Sequence, residues 1–182
     1  MEKKAVKSAW LIVDLVNDFV NGKFGSKKGV QVAERTADIL NEMEGKMPVV
    51  FTLDTHVPGD PEFSIWGEHC LIGTEASRLY PKLEAVKSYR ITKRHYDAFL
   101  GTDLDLYLRM NHVQHLYISG ISTGICVLHT AAGAFFHYYG ITLISDLCTS
   151  IDPDDHESAI KFMQRYYGAN IVDESRFRRE VI

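Results

Sequence analysis

The sequence predicts an α/β fold, a parallel sheet with helices on both faces. Three observations predict it. Six short apolar runs, at residues 9–13, 49–53, 88–92, 116–119, 141–145 and 170–172, are flanked by polar or turn residues, as strands buried on both faces should be. Helical periodicity lies between the runs, and strands alternating with helices make a parallel sheet. The 182 residues, 46% hydrophobic and 24% charged, read as one soluble globular domain over 1–182, without repeat, low-complexity segment or linker.

The first run ends at Asp14, and residues 14–19 contain no glycine. That argues against the phosphate-binding loop of a nucleotide-binding Rossmann protein. Val32, Thr36, Ile39, Leu40 and Met43 then recur at helical spacing, with Gly45 as a stop. The second and third runs lead into Asp54 and Lys93. The fourth breaks at Gly120 and passes through Ile121, Ser122, Thr123, Gly124 and Ile125 to Cys126. An apolar stretch over 127–136 follows, so Cys126 is expected one turn into a helix that ends at Gly140. Asp152 and Pro153 form an N-cap and N1 pair for a helix reaching about residue 167, before Gly168.

Composition excludes several classes. A net charge of -4 argues against a general nucleic-acid binder, and no apolar run approaches the ~20 residues that span a bilayer. Residues 1–8 are Lys-rich but carry no signal-peptide core. The three cysteines, Cys70, Cys126 and Cys148, are odd in number and lack a CxxC pair. They do not read as a disulfide framework, and the expected location is the reducing cytoplasm.

Ligands of such sheets bind at the carboxyl ends of the strands, near a topological switch point. There the chain places Asp14, Asp54, Lys93 and, shortly after the fourth strand, Cys126. Alone, each has a plainer reading: a helix cap, a surface lysine, an inert buried thiol. Together they suit acyl transfer. Lysine and the helix N-terminus lower a thiol pKa, a carboxylate takes the S–H proton, and backbone N–H groups near Ser122 and Cys126 receive an oxyanion. His129 is a poor rival base, because it would have to fold back across a helical turn. Asp54, His56 and His69 form a second constellation, with Glu62 as a fourth candidate. Imidazole with carboxylate suits Zn²⁺, Fe²⁺ or Mn²⁺. Cys70 is left out, because adjacent side chains of an extended segment point apart.

The stretch from Asp14 to Phe19, Lys93 within Lys-Arg-His-Tyr-Asp-Ala-Phe, and Cys126 after Gly-Ile-Ser-Thr resemble the isochorismatase-like cysteine hydrolases over nearly the whole chain. The resemblance implies a three-layer α/β/α fold with a six-stranded parallel sheet of order 3-2-1-4-5-6. It also implies an Asp14–Lys93–Cys126 triad, a cis peptide before Ser122, and an oxyanion hole from the Ser122 and Cys126 amides. In its nicotinamidase branch Asp54, His56 and His69 match the metal site, zinc first, and Glu62 an additional ligand. Trp66, Phe19 and Tyr96 match pocket walls. The implied activity is hydrolysis of a small carboxamide with release of ammonia, nicotinamide first; N-carbamoylsarcosine or another carbamoyl or ureido compound is the alternative. Members are often oligomers, and Phe135 and Tyr138 are candidates for an interface or for the core. Val16, Asp97 and Pro61 stand where many members have Gln, Ser and His, departures that touch substrate identity rather than the triad. A thiol-based sensor is the non-enzymatic alternative.

Overall fold

The computed structural model describes residues 7–43 and 45–182; part of the Lys-rich N-terminal lead-in lies outside them. Strands β1 (Ser8–Val13), β2 (Val49–Asp54), β3 (Tyr89–Lys93), β4 (His115–Ile121), β5 (Gly140–Thr149) and β6 (Asn170–Val172) form one sheet. Its order is β3-β2-β1-β4-β5-β6 and every ladder is parallel, as expected. The helices are α1 (Asn17–Val20), α2 (Lys27–Glu42), α3 (Phe63–Trp66), α4 (Leu104–Met110), α5 (Leu128–Phe136), α6 (Pro153–Tyr166) and α7 (Glu174–Val181).

Alternation along β1 builds the two layers. Ala9, Leu11 and Val13 pack with Leu104 and Leu108 of α4, Ala131 and Ala134 of α5, and Ala159 and Met163 of α6. Trp10 and Ile12 point the other way, toward Val32, Ile39 and Leu40 of α2 and Phe177 of α7. Trp10 is fully buried, so its indole N–H needs a partner, and it donates to Ser119 Oγ at 3.0 Å. Ser26 caps α2 by accepting from Gly29 N, and Asp152 caps α6 by accepting from Asp154 N. Among the described residues no helix is long and apolar enough to cross a membrane.

Several boundaries differ from the sequence reading. Asp54 and Lys93 are the last residues of β2 and β3 and face each other in register. α5 ends at Phe136 rather than at Gly140; Tyr138, at φ +66°, makes the turn, and Gly140 already opens β5. β5 is longer than expected because its pairing with β4 shifts between Ile118 and Gly120, which takes up additional β5 residues. The short runs over α4 and α7 were not anticipated.

β4 does not break at Gly120 but passes through it at φ +131°, beside the end of β1. A Cβ on Gly120 would lie 2.0 Å from the Val13 carbonyl oxygen. Glycine is required on both counts, since neither the dihedral nor the backbone contact tolerates a side chain. Gly120→Ala is expected to cost about 4 kcal/mol or more, lowering Tm by roughly 10 °C in a thermal melt. An unchanged Tm would contradict that close approach.

Candidate active site

The sheet's topological switch point lies between β1 and β4, and the expected residues meet there. Val13, Thr52 and Gly120 are level across β2, β1 and β4. Asp14, next along β1, therefore emerges at the centre of the sheet's carboxyl edge. It sits at φ +52°, donates its N–H to the Thr52 carbonyl, and its Oδ1 accepts from Thr52 Oγ1 at 2.7 Å. Lys93 arrives from β3, two strands away. Its Nζ lies 2.7 Å from Asp14 Oδ2, 3.1 Å from Asp54 Oδ1 and 3.7 Å from Cys126 Sγ. All four side chains are buried. Asp14 Oδ2 is in ionic contact with Lys93 but accepts no well-aligned hydrogen bond, which leaves a lone pair open to a proton.

Cys126 sits in a π-helical turn, Thr123–Val127, rather than a regular first turn of α-helix. The Ile121–Ser122 peptide is cis. Ile125 and Val127 N–H both bond to the Ser122 carbonyl, and Gly124 N–H bonds to Ser150 Oγ. Beyond the bonds internal to this turn, no carbonyl or side chain among the described residues takes the N–H of Ser122 or Cys126. Both amides belong to the segment that carries the thiol.

Burial dominates the electrostatics. It pushes the Cys126 thiol well above its ordinary range; Lys93 pulls it down, while Asp14 and Asp54 oppose that pull. Burial thus outweighs the lowering that a lysine and a helix end led the sequence reading to expect. Burial also raises Asp14, with Lys93 opposing and Asp54 assisting. At Asp54 burial acts upward too, but Lys93 and the two histidines outweigh it and the carboxyl is held low. Lys93 stays charged: burial works against it, and Asp14, Cys126 and Asp54 overcome it.

Asp54, His56 and His69 bring three ligand atoms within 4.8 Å of one another. The two Nε2 atoms converge on Asp54 Oδ2, at 3.0 Å from His56 and 3.5 Å from His69. Glu62 Oε1 stands at the edge, 3.7 Å from His69 Nε2. Each ring's Nδ1 is spoken for, by Asp60 Oδ2 for His56 and by the Gly67 carbonyl for His69, both at 2.8 Å. Both imidazoles thus turn Nε2 toward a carboxylate, as a divalent-cation site requires. Burial lowers His69, but hydrogen bonds to Asp54, Glu62 and Gly67 outweigh it and raise the group to about 10. A proton held between imidazole and carboxylate is what a cation would replace.

Cys126 from the first group and Asp54, Glu62 and His69 from the second line one pocket, whose mouth is open to solvent and which has about 350 Å³ of empty space, solvent included. Phe19, Trp66 and Tyr96, the expected walls, line it, and Trp66 Nε1 donates to Tyr96 Oη at 3.0 Å. Sequence reasoning missed Phe24, Ile125 and Ile151, which also line it. It assigned no role to Asp60 or Arg94, and Thr52 gave no signal beyond its place in a strand. His129 is exposed and bonds through Nδ1 to the Ile125 carbonyl, away from the thiol. Cys70 is buried outside the metal cluster.

The family described as Isochorismatase domain matches residues 8–175. The chain belongs to the isochorismatase family. Among curated relatives of this family, the nicotinamidase/pyrazinamidase of Mycobacterium tuberculosis is 31% identical, over 86% of this chain and 94% of its own. Among solved isochorismatase-like structures, N-carbamoylsarcosine amidase from Thermoplasma acidophilum superposes with a TM-score of 0.83 at 31% identity, covering 92% of this chain and 96% of that one. Pyrazinamidase of Pyrococcus horikoshii in complex with zinc gives 0.84 at 28% identity, covering 92% and 99%.

Proposed function

We propose that the chain is a cysteine amidohydrolase that cleaves the C–N bond of a small carboxamide and releases ammonia. The observation that carries this is the buried Asp14–Lys93–Cys126 cluster at the floor of an aromatic pocket. Asp14 takes the Cys126 proton as Sγ attacks the carbonyl carbon, so no free thiolate has to persist in the buried site. Burial raises Asp14, which makes its carboxylate a better acceptor for that proton. The Ser122 and Cys126 N–H groups receive the oxyanion, and Lys93 holds Asp14 in place. Asp14 then returns the proton to the leaving nitrogen, ammonia departs, and a thioester remains. Water activated by Asp14 hydrolyses it to the carboxylic acid and restores the thiol.

Nicotinamide is the first-choice substrate. The pocket is walled by Phe19, Phe24, Trp66 and Tyr96, and its lining includes Glu62 but no arginine. That composition suits a neutral flat ring better than a carboxylate-bearing ureido compound. Asp54, His56, His69 and, at the edge, Glu62 would hold a divalent cation, zinc first and iron or manganese next. When bound, such an ion supplies a Lewis-acidic position for a ring nitrogen and orients the carboxamide. Likeness to N-carbamoylsarcosine amidase at 31% identity supports carbamoyl substrates as the second reading. A thiol sensor is disfavoured, because it needs an accessible low-pKa thiol and Cys126 is neither.

An ammonia-release screen tests the reading. Turnover of nicotinamide and pyrazinamide above N-carbamoylsarcosine is expected; the reverse order would favour the second reading. Elemental analysis of protein purified without added metal is expected to find about one divalent ion per chain, and His56→Ala to lower it at least about tenfold. Background levels in the unmutated chain would remove the metal from the account. The free, buried cysteines accord with a reducing cytoplasm. Exposed Phe136 and Tyr138 beside Phe135 support a homo-oligomer, measurable as a solution mass above that of one chain.

A further inference from the structure

One carboxylate beside the proposed metal site has no role so far. Asp60 is 7% exposed, in the loop between β2 and α3. Its Oδ2 accepts from His56 Nδ1 at 2.8 Å and from Val57 N at 3.1 Å. Its Oδ1 pairs with the Arg94 guanidinium, whose Nε also reaches Oδ2 at 3.3 Å. His56 is fully buried, so the partner of Nδ1 sets the ring's orientation. A carboxylate at Nδ1 can only accept. It therefore fixes the proton on Nδ1 and leaves the Nε2 lone pair, on the side of Asp54, free to ligate a cation.

Lys93 and Arg94 are consecutive, and they stand at opposite ends of one chain of polar contacts. It runs Lys93, Asp54, His56, Asp60, Arg94, with contacts of 3.1, 3.0 and 2.8 Å before the final ion pair. Lys93 continues to Asp14 and Cys126; Arg94 does not reach the pocket. The two neighbours divide the work, one serving the thiol and the other the metal ligand.

We propose that Asp60, anchored by Arg94, is a positioning residue that orients His56 and sets the affinity of the metal site, leaving the reactivity of Cys126 untouched. Removing the acceptor frees the imidazole to rotate or to change tautomer, and either costs affinity. An amide at this position can still accept through its oxygen, so a conservative replacement should restore part of the loss. The inference rests on the metal site proposed above.

Zinc affinity measured by competition against a chromophoric chelator tests it, with the alkylation rate of Cys126 in metal-free protein read in parallel. Asp60→Ala is expected to weaken zinc binding about 10–100-fold. Asp60→Asn should lose less than Asp60→Ala, and the alkylation rate should stay within twofold of the unmutated chain. Arg94→Gln, which leaves Asp60 in place, is expected to weaken zinc several-fold and serves if Asp60→Ala does not fold. Unchanged affinity in Asp60→Ala, or in Arg94→Gln where the former fails to fold, would overturn the role. So would a parallel change in alkylation rate, which would indicate general loosening. No zinc binding by the unmutated chain would instead overturn the metal site, and the inference with it.

Discussion

Cys126→Ala releases no ammonia from any amide that the unmutated chain hydrolyses, a loss of at least about 10⁴-fold in kcat/KM. The size follows from the chemistry. The thiol forms the bond that replaces C–N. The Asp14 and Asp54 carboxylates are engaged by Lys93, and the Ser122 hydroxyl, which also lines the pocket, accepts from the Ile151 N–H. The fold survives, because the change removes one heavy atom from a well-packed site, at about 1 kcal/mol. A coupled ammonia assay beside far-UV circular dichroism separates the two effects. Retained turnover in a folded Cys126→Ala protein would contradict the covalent route.

Lys93→Met is expected to be both inactive and strongly destabilised. Lys93 is the one cation between two buried carboxylates, and it touches both. Methionine replaces the stem but leaves Asp14 without its counter-charge and Asp54 with only its His56 and His69 contacts. Breaking a buried ion pair from one side costs about 3–5 kcal/mol, which is roughly 6–20 °C in Tm for a chain of this size. The deficit should depend on pH. Asp14 is already raised by burial and rises further without Lys93, so the stability its protonated form retains is lost as pH climbs through the folded pKa. Asp54 is held low by Lys93 together with His56 and His69, so the variant also forfeits the Lys93 share of the stability that Asp54 contributes above its unfolded pKa. The Asp54 loss is already constant above the ordinary carboxylate pKa of about 3.9, so between pH 5 and 8 it is the Asp14 effect that grows with pH. The Tm gap between Lys93→Met and the unmutated chain should therefore narrow as pH falls from about 8 toward 5. A gap independent of pH would place the loss in packing rather than charge.

Much of the site was legible because α/β topology turns sequence order into spatial order. Asp14, Asp54 and Lys93 end strands that are neighbours in the sheet, and Cys126 follows the strand across the switch point. Their convergence needs only the order of the strands. Strand alternation made the two core layers readable in the same way. The π-helical turn was not readable, since its register depends on how Ser122 and Ser150 tie down the loop. Asp60 was given no role, because nothing in one dimension reveals that Arg94 returns to meet it. Phe24 sits in an irregular stretch without periodicity, yet folds against Trp66 and His69. The direction of the thiol's pKa shift was misread for a related reason. Lysine and helix end were visible in the sequence, but the burial that outweighs them is a property of the packed site.

The account turns on a thioester at Cys126. Rapid acid quench of the unmutated protein during turnover of nicotinamide, followed by peptide mass spectrometry, looks for it directly. The account predicts a nicotinoyl group on the Cys126 peptide, lost on treatment with hydroxylamine and absent when Asp14 is replaced by Asn. A protein that turns over nicotinamide while acylated at another residue would contradict it.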